Sequence, residues 1–267
     1  MTTISILGCG WLGLPLAEAL VAKQFVVKGS TTSKNKLQIL EKAGVQSFLI
    51  SLSNIEIDGD IVAFLADADI LIVDIPPSAR ETTNAQFSEK IKLLIPYIEK
   101  SKIKKVIFIS SISVYADAKQ LVTEETEPDP ASENGRQLVI AEQLLQQSES
   151  FDTAIIRLGG LIGANRHPVK YLAGKQQIPN PDAPINLIHQ QDCIGILIAV
   201  IDNSMFGKVF NAVTPYHPSR KEYYTQQAKL LDLTLPEFDT HNQSIGKIVA
   251  AEKINRLLGY KFVEARL

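Results

Sequence analysis

The sequence contains few cysteines and few histidines. Among its 267 residues, two are Cys and four are His. Cys9 and Cys193 lie far apart and each falls in an apolar segment, so the chain suggests neither a disulfide framework nor a thiolate metal site. This pattern predicts a protein of a reducing compartment that holds no metal ion.

The sequence also lacks a large excess of charge and any long apolar run. Its formal net charge of -2 provides no positive field for binding nucleic acid or an anionic membrane. The chain begins with TISILG after Met1 and Thr2, without the pattern of a signal peptide, and no apolar run reaches the length of a membrane span. We therefore expect a cytoplasmic protein whose partners include neither nucleic acid nor membrane.

The sequence does contain short β-branched runs that alternate with longer amphipathic ones. This alternation is typical of a parallel sheet covered by helices on both faces. It predicts an α/β fold in which residues 1–160 form a Rossmann-type, doubly wound parallel sheet that binds a dinucleotide. Glycines, prolines and polar residues then dominate to about Pro184, so residues 161–267 are expected to form a smaller, substrate-facing lobe. Within it, residues 185–202 are expected to pack back on the Rossmann core.

Three glycines spaced as G-x-G-x-x-G come directly after the first predicted strand. A predicted helix follows at once, with Pro15 in its opening turn. In this context the first glycine makes a tight turn, the second lets the main chain approach a pyrophosphate, and the third lets helix and strand pack closely. The alternative is a glycine-rich turn without a ligand. The predicted phosphate-binding residues are Gly8, Cys9, Gly10, Trp11, Leu12 and Gly13.

The second predicted strand ends in GSTTSKNK, without the acidic residue that binds the ribose of NAD. Hydroxyl groups and a lysine at this position can hold the 2′-phosphate of NADP, so we expect NADP, with NAD as the less favoured cofactor. A solvated helix start is the alternative for the lysines. Pro76 and Pro77, after the fourth central strand, are expected to shape the cofactor cleft. The residues predicted for the ribose end are Ser30, Thr31, Thr32, Ser33 and Lys34, with Lys36 as the alternative to Lys34.

Further motifs lie in the second half of the chain. The segment SSISVYAD follows a predicted buried strand, and TEETEPDP, AEQLL, RLGGLIG and NLIHQQD come after it. Together they resemble the extended short-chain dehydrogenase/reductase family, which includes nucleotide-sugar epimerases and dehydratases, over nearly the whole chain. GCGWLGLPLA, SSISVYAD, NRHP and YHP are most similar to its atypical bacterial YeeZ-type branch.

The resemblance implies an orienting role for Ser111 and shows that two usual partners are missing. In the typical family a serine or threonine at this position orients the substrate. A tyrosine exchanges the proton, and a lysine lowers the pKa of that tyrosine and holds the nicotinamide ribose. Asn134 stands at the tyrosine position and Leu138 at the lysine position. An amide cannot release a proton as a phenol does, so the usual hydride-transfer chemistry is not supported.

Other polar residues are candidates for the missing roles. His189 is the candidate proton-exchanging residue beside Ser111, because an imidazole titrates near neutrality. The alternative for a lone histidine is a hydrogen-bonded packing role, and the alternative for Ser111 is to finish its strand. The candidate substrate-binding residues are Ser111, Tyr115, Asn134, Arg136, Arg166, His167, Asn186 and His189.

Two functions remain open from the sequence. The first is an NADP(H)-dependent oxidoreductase or epimerase acting on a sugar-nucleotide-like or other polar metabolite, without the usual Tyr/Lys pair. The intact phosphate turn and Ser111 favour it. The second is an NADP(H)-binding sensor or regulatory protein without turnover, which the loss of the pair favours. Either protein is expected to bind a small polar molecule as a monomer or homodimer.

Overall fold

The computed structural model describes residues 1–77, 87–118, 121–163 and 165–265. Strands and helices alternate along these segments. The strands are β1 (Thr3–Leu7), β2 (Val26–Thr31), β3 (Gln46–Leu49), β4 (Ser51–Leu52), β5 (Ile57–Asp58), β6 (Ile70–Val73), β7 (Lys105–Ser111), β8 (Leu121–Val122), β9 (Asp152–Leu158), β10 (Gly160–Ile162), β11 (Leu187–His189), β12 (Val209–Ala212) and β13 (Ile248–Val249). The α-helices are α1 (Gly13–Ala22), α2 (Leu37–Lys42), α3 (Ile61–Leu65), α4 (Phe87–Lys100), α5 (Glu133–Gln146), α6 (Val169–Leu172), α7 (Gln190–Asp202), α8 (Arg220–Leu230) and α9 (Glu252–Leu258).

Seven parallel strands form the central sheet, in the order β12-β9-β7-β6-β1-β2-β3. All four residues of β6 are buried, as expected for an apolar strand with helices on both sides. The order of the strands reverses between β1 and β6, and α/β sheets bind ligands beyond the carboxyl ends of the strands at such a point. The predicted Rossmann-type, doubly wound sheet is thus confirmed.

Two apolar cores cover the faces of the sheet. The first contains residues of α1, α7 and α9, including Leu16 and Ile196, and the second contains residues of α3, α4 and α5, including Ile91 and Leu138. Burying one such aliphatic side chain contributes about 1.5–3 kcal/mol. Helix α7 and strand β12 both follow residue 160, yet α7 packs in the first core and β12 forms one edge of the central sheet.

A third core lies in the second half of the chain. It joins β10 and β11 to α6 and α8 through Ile162, Val169, Leu187 and Tyr223. The two-stranded sheets β10–β11 and β8–β13 are parallel and connect this region to the end of β7 and the segment after it. In the part of the chain that the structure describes, no helix is both long and apolar enough to cross a membrane.

Candidate functional site

The turn between β1 and α1 requires glycine at two positions. Gly8 has a φ of 107°, in the left-handed region, and a Cβ there would lie 2.3 Å from the carbonyl oxygen of Asp74. A Cβ on Gly13 would lie 2.3 Å from the carbonyl oxygen of Gly8. Because both contacts are to backbone atoms, the first and third glycines of the motif are needed for the close approach of β1, α1 and β6.

Gly10, the second glycine, faces open space instead. A Cβ at this position would meet no atom within 4 Å. The turn is fixed beneath it by Ser30, whose Oγ accepts the Gly8 N–H (2.9 Å) and whose carbonyl oxygen accepts the Cys9 N–H (2.7 Å). Open space over a bare backbone near the start of a helix is what a pyrophosphate requires. The residues present therefore fit a dinucleotide.

A cavity of about 340 Å³ lies beside this turn, at the carboxyl ends of β1, β2 and β6. Its position is the point where the strand order reverses. The predicted cofactor-binding residues that line it are Gly8, Cys9, Gly10, Ser30, Thr31, Thr32 and Pro76. The predicted residues outside its lining are Trp11, Leu12, Gly13, Ser33, Lys34 and Pro77.

Three observations refine the predictions for this cleft. The Ser30 hydroxyl accepts the Gly8 N–H and so shapes the turn, in a bond that does not use its own O–H. Lys36 lines the cavity where Lys34 does not. The Leu12 side chain is buried in the first core, so only its backbone is available to a phosphate.

Ser111 stands at the end of β7 and is half-buried. Its Oγ accepts the Ser113 N–H at 3.1 Å and so caps the short 3-10 helix Ile112–Val114. This bond uses an oxygen lone pair and not the hydroxyl proton. Ser111 thus finishes its strand, as the structural alternative predicted, and keeps an O–H that is able to donate to a ligand.

A buried polar network lies directly behind Ser111. Arg157 on β9 pairs with Glu142 on α5 (Nη2 to Oε2, 2.6 Å), and Ser110 donates to the same carboxylate (2.5 Å). Arg157 also donates to the Tyr115 hydroxyl (2.7 Å), which lies 2.9 Å from Asn211 Oδ1. Tyr115 is only 2% exposed, and burial raises its pKa. The prediction that Tyr115 binds substrate is therefore corrected, because its hydroxyl is held in the core.

Helix α5 carries Asn134 and Leu138, the positions at which the sequence predicts that the usual tyrosine and lysine are absent. Leu138 is 3% exposed and belongs to the second core, which includes residues of α4 and β7. Asn134 is exposed in the first turn of the helix, and exposed Arg136 donates to Glu133 Oε2 at 2.8 Å. Asn134 and Arg136 are both exposed but point to different sides of α5, Asn134 one turn before Leu138 on the same side of the helix. Both lie outside the lining of the described cavity, and their contact with substrate stays a prediction.

His167 and Asn186 are also held by other parts of the protein. His167 Nδ1 accepts the Val169 N–H (3.2 Å) and Nε2 lies 3.0 Å from the Tyr223 hydroxyl, while burial lowers the pKa of the imidazole. Asn186 donates to the carbonyl oxygen of Lys247 (2.8 Å) and accepts the Val249 N–H (2.9 Å). These bonds hold both side chains beside the third core, and their contact with substrate stays a prediction.

His189 ends β11 and precedes α7. Its Nδ1 accepts the Gln191 N–H at 3.3 Å, so the proton of the neutral imidazole is on Nε2. The next residue, Gln190, donates through Nε2 to the carbonyl oxygen of Trp11 at 2.6 Å. The neighbour of His189 thus links this segment to the phosphate turn through a hydrogen bond.

Comparison with known proteins agrees with this geometry. A family model described as NAD(P)H-binding matches residues 8–194. The chain belongs to the NAD(P)H-binding family. Protein YeeZ of Escherichia coli (strain K12) is 33% identical over 264 residues, which cover 98% of this chain and 96% of that protein. The resemblance to the YeeZ-type branch is confirmed.

Solved structures of the short-chain dehydrogenase/reductase superfamily share the fold. UDP-glucuronic acid 4-epimerase from Bacillus cereus, in complex with NAD, superposes with a TM-score of 0.82 at 18% sequence identity. The matched region covers 98% of this chain and 92% of the epimerase chain. A short-chain dehydrogenase/reductase superfamily protein from Agrobacterium tumefaciens with bound NAD has a TM-score of 0.80 at 15% identity, covering 97% and 92%. At these identities the likeness shows the architecture alone.

In this NAD(P)H-binding protein the loop after β10 closes over the phosphate turn. The Arg166 guanidinium lies 5.1 Å from the centre of the Trp11 ring. A Cβ on Gly163 would lie 2.8 Å from Trp11 Cζ2, so the loop and the ring are in close contact. Arg166 is exposed and its charge lies next to the turn. Ser111, His189 and Arg166 also lie outside the lining of the described cavity. They remain the leading candidates for substrate contact because Ser111 keeps its O–H, His189 its Nε2 and Arg166 an exposed guanidinium for a ligand.

Two lining residues of the NAD(P)H cleft were not found from sequence patterns. Asp74 follows β6 directly, and burial raises the pKa of its carboxyl to about 7, although a hydrogen bond from the Gly13 N–H opposes this shift. The buried Lys90 reaches the cavity from α4. Asp74 stands at the carboxyl end of a central strand, which is a signal for ligand contact. Lys90 belongs to an amphipathic helix, where the sequence gives no such signal.

Proposed function

We propose that the chain binds NADP(H) and is an oxidoreductase or epimerase of a sugar-nucleotide-like or other polar metabolite, without the Tyr/Lys pair of the typical short-chain dehydrogenase/reductase family. The observation that carries this proposal is the cavity beside Gly10. It joins open space for a pyrophosphate to a rim of hydroxyl groups and one lysine at the end of β2. Dinucleotides require both features in one cleft.

The preference for NADP rests on the groups that follow β2. Thr32 and Lys36 line the cavity, and no carboxylate occurs between Thr31 and Lys36 to repel a 2′-phosphate or to bind a free ribose hydroxyl. A lysine ammonium pairs with phosphate as a point charge. The neighbours of known structure named above hold NAD, so this preference distinguishes the chain from them.

Three side chains supply the proposed chemistry. The cofactor, when bound, accepts or donates the hydride. The Ser111 hydroxyl proton orients the substrate oxygen, His189 Nε2 exchanges the proton, and the Arg166 guanidinium binds an anionic group of the substrate. His189 takes the place of the absent tyrosine because Gln191 fixes its tautomer and Gln190 ties its segment to the phosphate turn.

A specific observation favours a second function, an NADP(H) sensor without turnover. Leu138 packs in the core at the position where the typical family carries the catalytic lysine, so this position offers no cation to a nicotinamide ribose. A sensor would bind the cofactor with the same preference but would leave it chemically unchanged.

The test of the cofactor is calorimetric titration of the purified chain with NADPH, NADP, NADH and NAD. We expect NADPH or NADP to bind most tightly. Lys36→Gln should weaken NADPH binding about tenfold, a typical loss for one phosphate ion pair, and leave NADH binding unchanged. Lys34→Gln is the matched control and should behave as wild type. Failure of all four dinucleotides to bind would overturn the proposal.

The test of turnover uses the preferred cofactor with a panel of sugar nucleotides and small carbonyl compounds. Ser111→Ala and His189→Asn should each lower kcat by about 10²-fold or more while cofactor affinity stays the same, because Asn keeps the cap of α7 but exchanges no proton. Tight NADPH binding with no turnover in wild type would establish the sensor instead.

A further inference from the structure

The carboxyl of Asp74 occupies a position in the cofactor cleft where an anion is unexpected. Asp74 lines the cavity together with Gly8 and Gly10, and its carboxyl accepts a hydrogen bond from the Gly13 N–H at the start of α1. Its Oδ2 lies 3.1 Å from the point where a Cβ on Gly13 would stand. The group is thus held at the helix N-terminus beneath the turn that fits the two phosphates.

An ionised carboxylate there would oppose the cofactor. The pyrophosphate of a dinucleotide carries two negative charges, and like charges in a partly buried site repel strongly. A protonated carboxyl has the reverse effect, because its O–H donates to a phosphate oxygen while its other oxygen keeps the Gly13 N–H.

We propose that Asp74 is a cofactor-binding residue that contacts the dinucleotide as a neutral carboxylic acid, so that the protein takes up one proton from solvent when the cofactor binds. The inference rests on the proposed function, since it needs dinucleotide binding in this cleft. The proton ends on a carboxyl oxygen of Asp74, and no bond of the cofactor changes.

The charged and titratable groups around Asp74 are consistent with this role. Burial raises the pKa of the Cys9 thiol, in the phosphate turn, to about 12, and also raises the pKa of the Cys193 thiol on α7. The charge of Asp74 adds to both shifts. Both thiols therefore stay protonated near neutrality and do not compete with Asp74 for the proton. Lys36, after β2, and Lys90, on α4, line the same cavity. Burial dominates the state of Asp74 and raises its pKa to about 7, so both protonation states are populated near neutrality before the cofactor arrives.

Calorimetric titration in buffers of different ionisation enthalpy measures the proton directly. NADH is the probe, because it lacks the 2′-phosphate that itself titrates near neutrality. At pH 8 wild type should take up close to one proton for each NADH bound, and its Kd should rise about tenfold between pH 7.5 and 8.5, as linkage of one proton requires. Asp74→Asn keeps a neutral donor and should bind NADH with no proton uptake and no such change in Kd.

Asp69→Asn is the matched control, because Asp69 lies at the opposite end of β6, where it accepts the Thr3 N–H. It should retain the proton uptake of wild type. NADH binding without proton uptake in wild type, or equal uptake in wild type and Asp74→Asn, would overturn the role of Asp74 while leaving the proposed function intact. Absence of any dinucleotide binding would overturn both. Absence of proton uptake in wild type overturns the role of Asp74 even if Asp74→Asn does not fold.

Discussion

Gly8 and Gly10 are separated by a single residue, but different physical constraints act on them. Gly8 is in the left-handed region of φ and has backbone atoms of Asp74 where a side chain would stand. Gly10 has neither restriction. The fold therefore requires glycine at the first position, whereas only a ligand can require it at the second.

Substitution of the two glycines should separate folding from binding. Gly10→Ala should fold with an unchanged Tm, because its methyl group enters open space, but it should weaken binding of the preferred dinucleotide tenfold or more by occupying the room for a phosphate. Gly8→Ala should lower the free energy of unfolding by several kcal/mol (about 3 or more), because its Cβ would clash with backbone. Thermal melts and calorimetric titration measure the two effects. Equal binding by wild type and Gly10→Ala would contradict the assignment of this space.

At the scale of elements, α5 contributes Leu138, the residue at the predicted lysine position, to the second core. Its N-terminus is fixed by Ser132, which accepts the Gly135 N–H at 3.2 Å, so the register of the helix is set. That register turns Leu138 into the second core and Glu142 toward Arg157, and leaves Asn134 exposed. Leucine at this position stabilises the contact of α5 with the sheet and α4.

Restoring the residues of the typical family should therefore not restore its site. Leu138→Lys would place an ammonium group in an apolar core and should lower the free energy of unfolding by more than about 3 kcal/mol, as an unpaired buried charge does. Asn134→Tyr, the control at an exposed position in the first turn of the same helix, should leave stability close to that of wild type. Urea unfolding of both variants checks this. A stable Leu138→Lys protein that gains hydride transfer would contradict it.

The sequence was sufficient for the elements but not for most side-chain contacts of the site. Periodicity and the glycine motif predicted the sheet and the phosphate turn, because both depend on short-range patterns. The roles of Tyr115, His167 and Asn186 depend on partners 42 to 96 residues away, such as Arg157, Tyr223 and Lys247. No local sequence pattern reveals such distant partners. The sequence therefore predicted ligand contacts for residues whose polar groups form hydrogen bonds with other parts of the protein.

At the scale of the whole molecule, Lys247 joins the second lobe to the segment that follows Ser111. Its buried ammonium group donates to the carbonyl oxygen of Tyr115 (2.7 Å) and to Asp117 Oδ1 (2.9 Å). Asn186 binds the backbone of Lys247, just before β13, and of Val249, in β13. The segment that follows Ser111 is therefore held by Lys247, a residue more than a hundred positions further along the chain.

Removal of this link should loosen one region without melting the sheet. Lys247→Met loses a charged hydrogen bond worth about 1.5–3 kcal/mol, so amide exchange in residues 112–118 and 246–249 should accelerate about tenfold to a hundredfold, while β1 and β6 stay protected. Lys229→Met, on the exposed face of α8, is the control and should exchange as wild type. Hydrogen exchange followed by mass spectrometry measures this. Unchanged amide exchange in both segments would show that the hydrogen bonds of Lys247 do not stabilise them.

The pairing of β12 with β9 has a practical consequence for dissecting this protein. A fragment cut after residue 160 would leave one flank of β9 without backbone partners and would strip α7 from the first core, and such bare edges recruit other chains. Each piece is then expected to precipitate when expressed alone. Co-expressed, the pieces have the features of a complementation pair, whose reunion restores the β9–β12 pairing and the first core.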